Sequence, residues 1–525
     1  MRRSTGQRLL GCRHRGAGVR PDRRPRGHAS RPDAGSGRAS VTLAQLATAC
    51  GASLRGRDAE VLGITHVAQD VRPGWVFAAV EGRKRHGIEF AAAAIERGAV
   101  AILSDRDPGP AAAWLFAAQP RRAMALASWA VAGHPERRLR LVGVTGTNGK
   151  STVVDLIGHI AAAAGERPGT FGTLGYTLPQ RSERAARTTP EATDLAPLLA
   201  ELIETGGTLA ALEVSSHAIA LDRIAGLEFD VVVWTNLTRD HLDFHRGLED
   251  YFATKAALSD RLRDDPPGRR VIGADDPFVA RLTTSPRPGD LTFGLAPGRD
   301  VTASGIVCDA GGTTFILHTP AGEAAVRLPL VGRHNLRNAL AAAAAAAALG
   351  WPLDASVRGL AGASPLAGRL EPVAAGTAFP VFVDYAHTPD ALEQVLLALR
   401  EVGEKRLVVV FGCGGDRDPG KRAPMGETVG RLADVPVVTS DNPRSEDPQA
   451  IIDQVVAGVR ASGNPRALAI PDRREAIAAA LSLADERCIV LVAGKGHETE
   501  QVFADRTVPF DDRAVVRELA QRKRA

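Results

Sequence analysis

No apolar stretch in this 525-residue chain is long enough to cross a bilayer; the Ala-rich run from Ala339 to Leu349 comes nearest and is too short. Cysteine is scarce. Cys12, Cys50, Cys308, Cys413 and Cys488 lie far apart, with no C-x-x-C that a histidine pair could complete. They read as reduced, non-ligand thiols of a cytosolic protein. The N terminus lacks the apolar core of a secretory signal, since Leu9-Leu10 stands alone. A polyanion-binding surface is missing too, despite a pI near 9.1. Residues 1–38 hold eleven arginines against two aspartates, and the rest of the chain is slightly acidic, with 54 basic and 58 acidic residues. The basicity belongs to the start, so neither nucleic acid nor membrane is expected as a partner. Rich in Arg, Gly, Pro and Ser, residues 1–40 are expected to be disordered, a nonfunctional extension rather than an organelle transit peptide.

What is present is ordinary soluble-protein composition, 44% apolar and 24% charged, at a length that suggests roughly three domains. The chemistry shows first in Leu139–Thr152, LRLVGVTGTNGKST. Leu139, Leu141, Val142 and Val144 suit a buried parallel strand, and the glycines after them end it. Gly146 and Gly149 let backbone N–H groups close around an anion. Lys150 adds a point charge and Ser151 a hydroxyl for a metal ion. Helical periodicity from Thr152 to Ala164 puts Lys150 and Ser151 at a helix N terminus, where the dipole favours phosphate. Val144 stands where the usual P-loop has its first glycine, so the loop is a shortened variant.

Before this loop, a helix stopped by Gly51, two strands joined through Pro73-Gly74, a helix from Glu89 to Gly98 and the strand AVAILSD describe a small α/β domain ending near Pro120. After it, Thr188 and Thr189 precede a helix and read locally as caps. The strands TLAALEVSSH and FDVVVWTN end in Glu213, Ser215, Ser216 and His217, and in Thr235, Asn236, Asp240 and His241. Carboxyl ends of parallel strands are where ligands bind, so these groups should gather at the loop, with Glu213 and His241 able to hold a second divalent ion and Lys255 on a following helix. From about Ser364, strands alternate with helices in the manner of an open Rossmann-like sheet. It has no G-x-G-x-x-G turn, so no dinucleotide is indicated.

GVTGTNGKST, TTPEATDL, EVSSHAIALDRI, TNLTRDHLDFHRGLEDYFATKAAL, GRHNLRNALAAAA, AGRLEPV, VDYAHTPDAL, FGCGGDRDPGKR, TSDNPRSEDP and AGKGHE occur in this order. Together they resemble the Mur ligases, and within them the branch that adds the third amino acid of the peptidoglycan stem, from about residue 60 to the C terminus. The resemblance implies an α/β fold in three domains: an N-terminal UDP-substrate-binding domain (41–121), a central P-loop ATPase domain with a mostly parallel sheet (122–364) and a C-terminal Rossmann-like amino-acid-binding domain (365–525). It implies a monomeric, cytosolic, ATP- and Mg²⁺-dependent ligase joining meso-diaminopimelate to UDP-MurNAc-L-Ala-D-Glu through an acyl phosphate. The alternatives are an L-lysine-adding, other Mur or folylpolyglutamate-type ligase, and a non-catalytic nucleotide-binding regulator.

Carried over by motif, Gly146, Thr147, Asn148, Gly149, Lys150, Ser151 and Thr152 are implied to bind ATP, with Asn335 and Asn338 at adenine, Arg369 on the γ-phosphate and Asp384 on the ribose. His387 completes the last motif. Lys150, Glu213, His241, Lys255 and Arg369 are the implied catalytic set. Ser151, Glu213, His241 and Lys255, the last as a carbamate, are the implied metal-site residues. Thr188, Thr189, Ser215 and Arg223 match sugar-nucleotide contacts; Arg417, Asp441, Asn442, Arg444, Gly494 and Glu498 match diaminopimelate contacts. The DNPR arginine makes chemical sense, because a guanidinium can clamp the second carboxylate that lysine lacks. Three places depart from the family: Val67-Ala68-Gln69 where a D-S-R is usual, Arg187 where an Asn precedes the threonines, and His334 where a Phe is usual.

Overall fold

In the computed structural model the described residues are 40–522, apart from 83, 84, 111, 186, 243, 374 and 375. The Arg-rich start lies outside them.

Short apolar runs broken by Gly and Pro build the first sheet. Helix α1 (Leu43–Cys50) opens with a capping box between Thr42 and Gln45 and stops at Gly51, whose φ of +68° suits glycine. The strands lie in the order Ser53–Arg55, Ala113–Phe116, Ala101–Ser104, Trp75–Ala78, Gly63–Thr65. The first pair is antiparallel and the others parallel, so the turn at Pro73-Gly74 feeds a parallel neighbour rather than a hairpin. Helix α2 (Ala91–Glu96) connects two of these strands. Helix α3 (Pro120–Val131) turns Ala123, Met124 and Ala127 toward this sheet but Ala125 and Trp129 toward the next, so one helix belongs to both cores.

The central sheet has the order Arg181–Glu183, Gly175–Leu178, Pro168–Gly172, Leu209–Glu213, Arg140–Thr145, Val231–Trp234, Arg269–Gly273, Leu291–Phe293. Its strands are parallel except for the hairpin edge at 175–183. Period-two alternation divides the side chains between faces. Val142 and Val144 pack with α4 (Lys150–Ala163), α8 (Arg333–Ala348) and α9 (Leu353–Ala361); Leu141, Ala210 and Trp234 pack with α3 and α5 (Ala192–Glu204). Two shorter helices, α6 (Ser216–Ala220) and α7 (Leu248–Ala256), follow the two strands beside the P-loop strand. Ala339–Ala346 of α8 are buried almost completely. A Cβ on Gly359 of α9 would fall on the backbone of Ile160, so α4 and α9 touch at glycine.

A three-stranded antiparallel sheet, Thr302–Asp309, Gly312–Thr319 and Gly322–Leu328, was not assigned from sequence. It buries Phe315, Leu317, Val326 and Leu328 in the α8 side of the core.

The third sheet has the order Glu371–Pro372, Val381–Asp384, Cys488–Ala493, Arg406–Phe411, Val435–Val438, Leu468–Ala469, parallel except at the first pair. Helices α10 (Pro389–Glu401), α11 (Arg422–Leu432) and α12 (Pro448–Ala461) cover one face. On the other lie α13 (Arg473–Leu483) and α14 (Asp512–Arg522). Among the described residues no helix is long and apolar enough to cross a membrane.

Candidate active site

Strand pairing sets the level at which the polar residues emerge: Val144 lies opposite Glu213 and Thr145 opposite Trp234. The glycine loop therefore leaves the sheet between the two polar strand ends. Gly146 and Gly149 have φ of +147° and +85°. A Cβ on the first would strike Thr235 Oγ1, and on the second Asn338 Oδ1, so both are required. The loop is stitched to the segment after Trp234. Thr147 N–H donates to Asn236 O (2.9 Å), Asn148 N–H to Asn236 Oδ1 (2.8 Å), and Thr235 Oγ1 to Asn148 O (2.7 Å). Thr235 and Asn236 thus hold the loop's shape. Lys150 folds back to donate to Gly146 O (3.0 Å) and Thr147 O (2.7 Å).

Two lysines, Lys150 half-buried and Lys255 buried, converge on this loop, and both donate to Gly146 O. Lys255, 2% exposed, donates to Gly146 O (2.8 Å) and Thr145 Oγ1 (3.3 Å), with its Nζ over the Tyr251 ring. Burial first, and the Lys150 charge second, hold its amine well below the ordinary lysine range. Burial also lowers Lys150, opposed by Glu213 and Asp240. The same desolvation drives the Tyr251 phenol above its usual range.

Glu213 is 1% exposed and accepts from Thr173 N–H (2.8 Å) and Thr173 Oγ1 (3.2 Å). Thr173 Oγ1 is 3.0 Å from Thr188 Oγ1. Thr189 Oγ1 donates to Glu213 O (2.8 Å) and accepts from Ser215 N–H (3.0 Å). The two threonines are therefore not helix caps. α5 begins after Glu191 with no side-chain cap, because strand ends distant in sequence compete successfully for the hydroxyls. Glu191, itself buried, pairs with Arg223 (2.9 Å) and Arg187. His241 sits at φ +55°, its Nε2 3.4 Å from Asp240 and its ring 5.0 Å from His217.

The third sheet closes the site. Arg369 reaches Ser151 Oγ (3.5 Å) and lies over the Tyr385 ring, while its buried Nε has no hydrogen-bond partner among the described residues. Asp384 accepts from Leu370 N–H (2.5 Å) and Ala386 N–H (2.6 Å), fixing the turn that carries Arg369; burial raises its carboxyl pKa. Asn338 Nδ2 donates to Asn335 Oδ1 (3.2 Å) at the start of α8. Asp390 of α10, which the sequence reading missed, accepts from Asn148 Nδ2 (2.8 Å) and Thr238 Oγ1 (3.3 Å). A cavity of about 550 Å³ runs from Lys150, Ser151, Glu213 and Lys255 to Arg369 and Asp384. His334 and His387 also line it, and burial lowers both imidazoles, His334 to about 4.

Arg417, Asp441, Asn442, Arg444, Gly494 and Glu498 do not line that cavity. They gather beyond Tyr385, whose ring is 5.1 Å from that of His497. Arg444 donates to Gly415 O (2.7 Å), Asn442 Nδ2 to Glu498 Oε2 (2.8 Å), and Gly494 N–H to Asp384 O (3.0 Å). Asp441 is buried and Arg417 exposed. The Asp384–Tyr385 segment thus links the two clusters. Lys495, also absent from the sequence reading, lies within the second.

Residues 144–346 match the family described as Mur ligase middle domain, and residues 368–496 that described as Mur ligase, glutamate ligase domain. A UDP-N-acetylmuramoyl-L-alanyl-D-glutamate--2,6-diaminopimelate ligase from Solibacter usitatus (strain Ellin6076) is 43% identical over 462 residues, 88% of this chain and 93% of the relative. The chain belongs to the Mur ligase family. A solved UDP-N-acetylmuramoyl-L-alanyl-D-glutamate--2,6-diaminopimelate ligase is 34% identical, with TM-score 0.63 over 89% of this chain and 96% of that one. The MurF ligase of Thermotoga maritima in complex with ADP shares the fold at 20% identity and TM-score 0.63, covering 88% of this chain and 98% of its own. Mur ligases are ATP-dependent amide ligases that release ADP.

The geometry of this Mur ligase fits a nucleoside triphosphate. α4 follows its N-cap Gly149 with no side-chain cap, leaving its first N–H groups for phosphate, and the Arg369 guanidinium comes within 3.5 Å of Ser151 Oγ in its first turn. Among the described residues no group of three or more His, Cys, Asp or Glu is arranged to hold a metal ion. An ion bound here would have to take part of its shell from phosphate, water and hydroxyls such as that of Ser151. That oxygen-rich set suits Mg²⁺.

Proposed function

We propose that this chain is a monomeric cytosolic ligase that uses ATP and Mg²⁺ to join meso-diaminopimelate to UDP-MurNAc-L-Ala-D-Glu. The observation carrying the reading is the shared cavity in which Lys150 and Ser151 of the P-loop meet Arg369 of the third sheet. Relatives named as diaminopimelate ligases, and the DNPR segment at 441–444, support the choice of substrates.

In this reading the D-glutamate side-chain carboxylate attacks the γ-phosphorus of ATP, giving an acyl phosphate and ADP. The neutral amine of diaminopimelate then attacks the acyl carbon, a proton leaves the nitrogen, and phosphate departs. Lys150 and Arg369 neutralise phosphoryl oxygens, and the α4 N terminus adds aligned N–H donors. Thr188, Thr189, Ser215 and Arg223 orient the sugar nucleotide. Lys255, whose burial favours the free amine over the ammonium, adds CO₂ with loss of a proton and becomes an anionic carbamate. That oxygen ligand, with Ser151, Glu213 and His241, would hold Mg²⁺. The ion supplies charge neutralisation between carboxylate and phosphate when bound.

Incubating the protein with ATP, Mg²⁺ and UDP-MurNAc-L-Ala-D-Glu plus either meso-diaminopimelate or L-lysine tests this by phosphate release and product mass. A tripeptide product with diaminopimelate is expected. Product with lysine alone overturns the amino-acid assignment, and no ADP with either overturns the ligase reading in favour of a nucleotide-binding regulator.

A further inference from the structure

The second cluster holds a buried charge that the ligase reading leaves without a task. Lys495 is 0% exposed, yet its ammonium has three acceptors: Glu500 O at 2.6 Å, Asn442 Oδ1 at 3.1 Å and Glu498 Oε2 at 3.2 Å. Its three donors are thus all used. The consequence passes to Asn442. Lys495 and Val502 N–H (3.0 Å) both donate to Asn442 Oδ1, so the amide has only one orientation, with Nδ2 toward Glu498 Oε2 at 2.8 Å. Two donors therefore converge on one oxygen of Glu498. The other takes no hydrogen bond among the described residues, and the side chain is 32% exposed. One carboxylate oxygen is held and its twin is presented.

The charge balance is as specific as the geometry. Asp441 stands beside Gly494, where a Cβ would fall on its Oδ2. Arg444 is close by, anchored on Gly415 O. The carboxylates of Asp441 and Glu498 are thus at least matched by the cations Lys495, Arg444 and the exposed Arg417. A ligand whose distal end carries both an ammonium and a carboxylate enters without changing the balance. One whose distal end carries an ammonium alone places an unmatched positive charge near Lys495 and Arg444 in a partly desolvated site.

We propose that Lys495 is a positioning and specificity-determining residue: it locks Asn442 and Glu498 into one unit and, by matching a carboxylate charge, disfavours amino acids with a lone distal ammonium. The inference rests on the diaminopimelate reading above.

Steady-state kinetics of the full chain with meso-diaminopimelate and with L-lysine test it in the wild type, Lys495→Met, Glu498→Gln and the double variant. Loss of charge-assisted hydrogen bonds is expected to raise the diaminopimelate KM about tenfold or more in Lys495→Met. The ATP KM is expected to move by less than about twofold, because neither Lys495 nor any of its three hydrogen-bond partners lines the P-loop cavity. The preference in kcat/KM for diaminopimelate over lysine should fall. Because Lys495 acts through Glu498, its substitution should cost much less in the Glu498→Gln background. An unchanged diaminopimelate KM, an equal rise for ATP, or an undiminished cost in that background overturns the proposal. If Lys495→Met does not fold, Lys495→Gln decides: it keeps N–H donors without charge, so a fall in preference supports the proposal and an unchanged preference overturns it. Wild-type product with lysine and none with diaminopimelate sinks the substrate reading and this inference together. Wild-type use of diaminopimelate with an indifferent Lys495 sinks the inference alone.

Discussion

Lys255 bears an amine where an ammonium is disfavoured, enclosed by protein and facing a second lysine. Removing it is expected to lower turnover about 10²–10³-fold, the scale of losing an electrostatic stabiliser of a reacting group. Lys255→Glu should recover part of that loss, and added bicarbonate should raise wild-type activity after CO₂ is stripped; full activity of Lys255→Ala would remove the residue from the mechanism. His334 makes the opposite point, that a polar residue at a nucleotide site can be simply packed. Its buried Nδ1 has no hydrogen-bond partner among the described residues, and burial lowers its pKa to about 4. Between pH 6.5 and 4 the unfolded chain therefore binds a proton that the folded chain refuses, so the contribution is complete above 6.5 and lost as pH falls through that window. His334→Phe should shift acid unfolding, followed by circular dichroism, to lower pH. An unchanged midpoint would show that the ring is not held neutral.

Elements were legible in sequence where local chemistry and tertiary packing agree. GTNGKS requires a loop and a helix start, and both are found; the unbroken apolar runs before Glu213 and Thr235 require buried strands. Taken locally, Thr188 and Thr189 favour caps over ligand contacts, and the cap fails because a hydroxyl before a helix has the same local signature whether it bonds to that helix or to a distant strand. The sheet at 302–328 escaped because its strands are half exposed, with buried Phe315 and Leu317 diluted by polar neighbours. Motif matching singled out Arg369 and Asp384 but not the 3.5 Å approach of Arg369 to Ser151, which depends on how two domains distant in sequence meet; α10 meets the P-loop there too. Asp390 makes that junction, with Asn148 and Thr238 as its partners. Asp390→Ala should raise the ATP KM roughly tenfold, the equivalent of a hydrogen bond to a charged group, with a smaller change for the amino acid. Equal changes for both would deny the junction a role in holding the loop.

At the scale of the molecule, the third sheet must be rigid for Arg369 beside it to keep its place against Ser151 of the central domain. One device is the fully buried pair Arg473–Asp512, at 2.7 Å, where Arg473 also donates to Ala493 O (3.0 Å). It pins α13 and α14 to the strand that leads into Gly494. Asp512→Ala leaves an uncompensated guanidinium and should cost about 3–5 kcal/mol. The loss should appear in urea titration as an early transition of the third sheet; a curve superimposable on the wild type would contradict it. A second source of rigidity is the alanine face of α8. Methyl groups have no rotamers, so this face cannot absorb a change in a neighbour by swinging a side chain aside. Any enlargement on α4 or in the sheet must instead displace the whole helix, and Asn335 and Asn338 at its head travel with it. The shape of the cavity is therefore written partly in residues that do not line it. Enlarging substitutions along that face should register as altered ATP affinity before they register as unfolding.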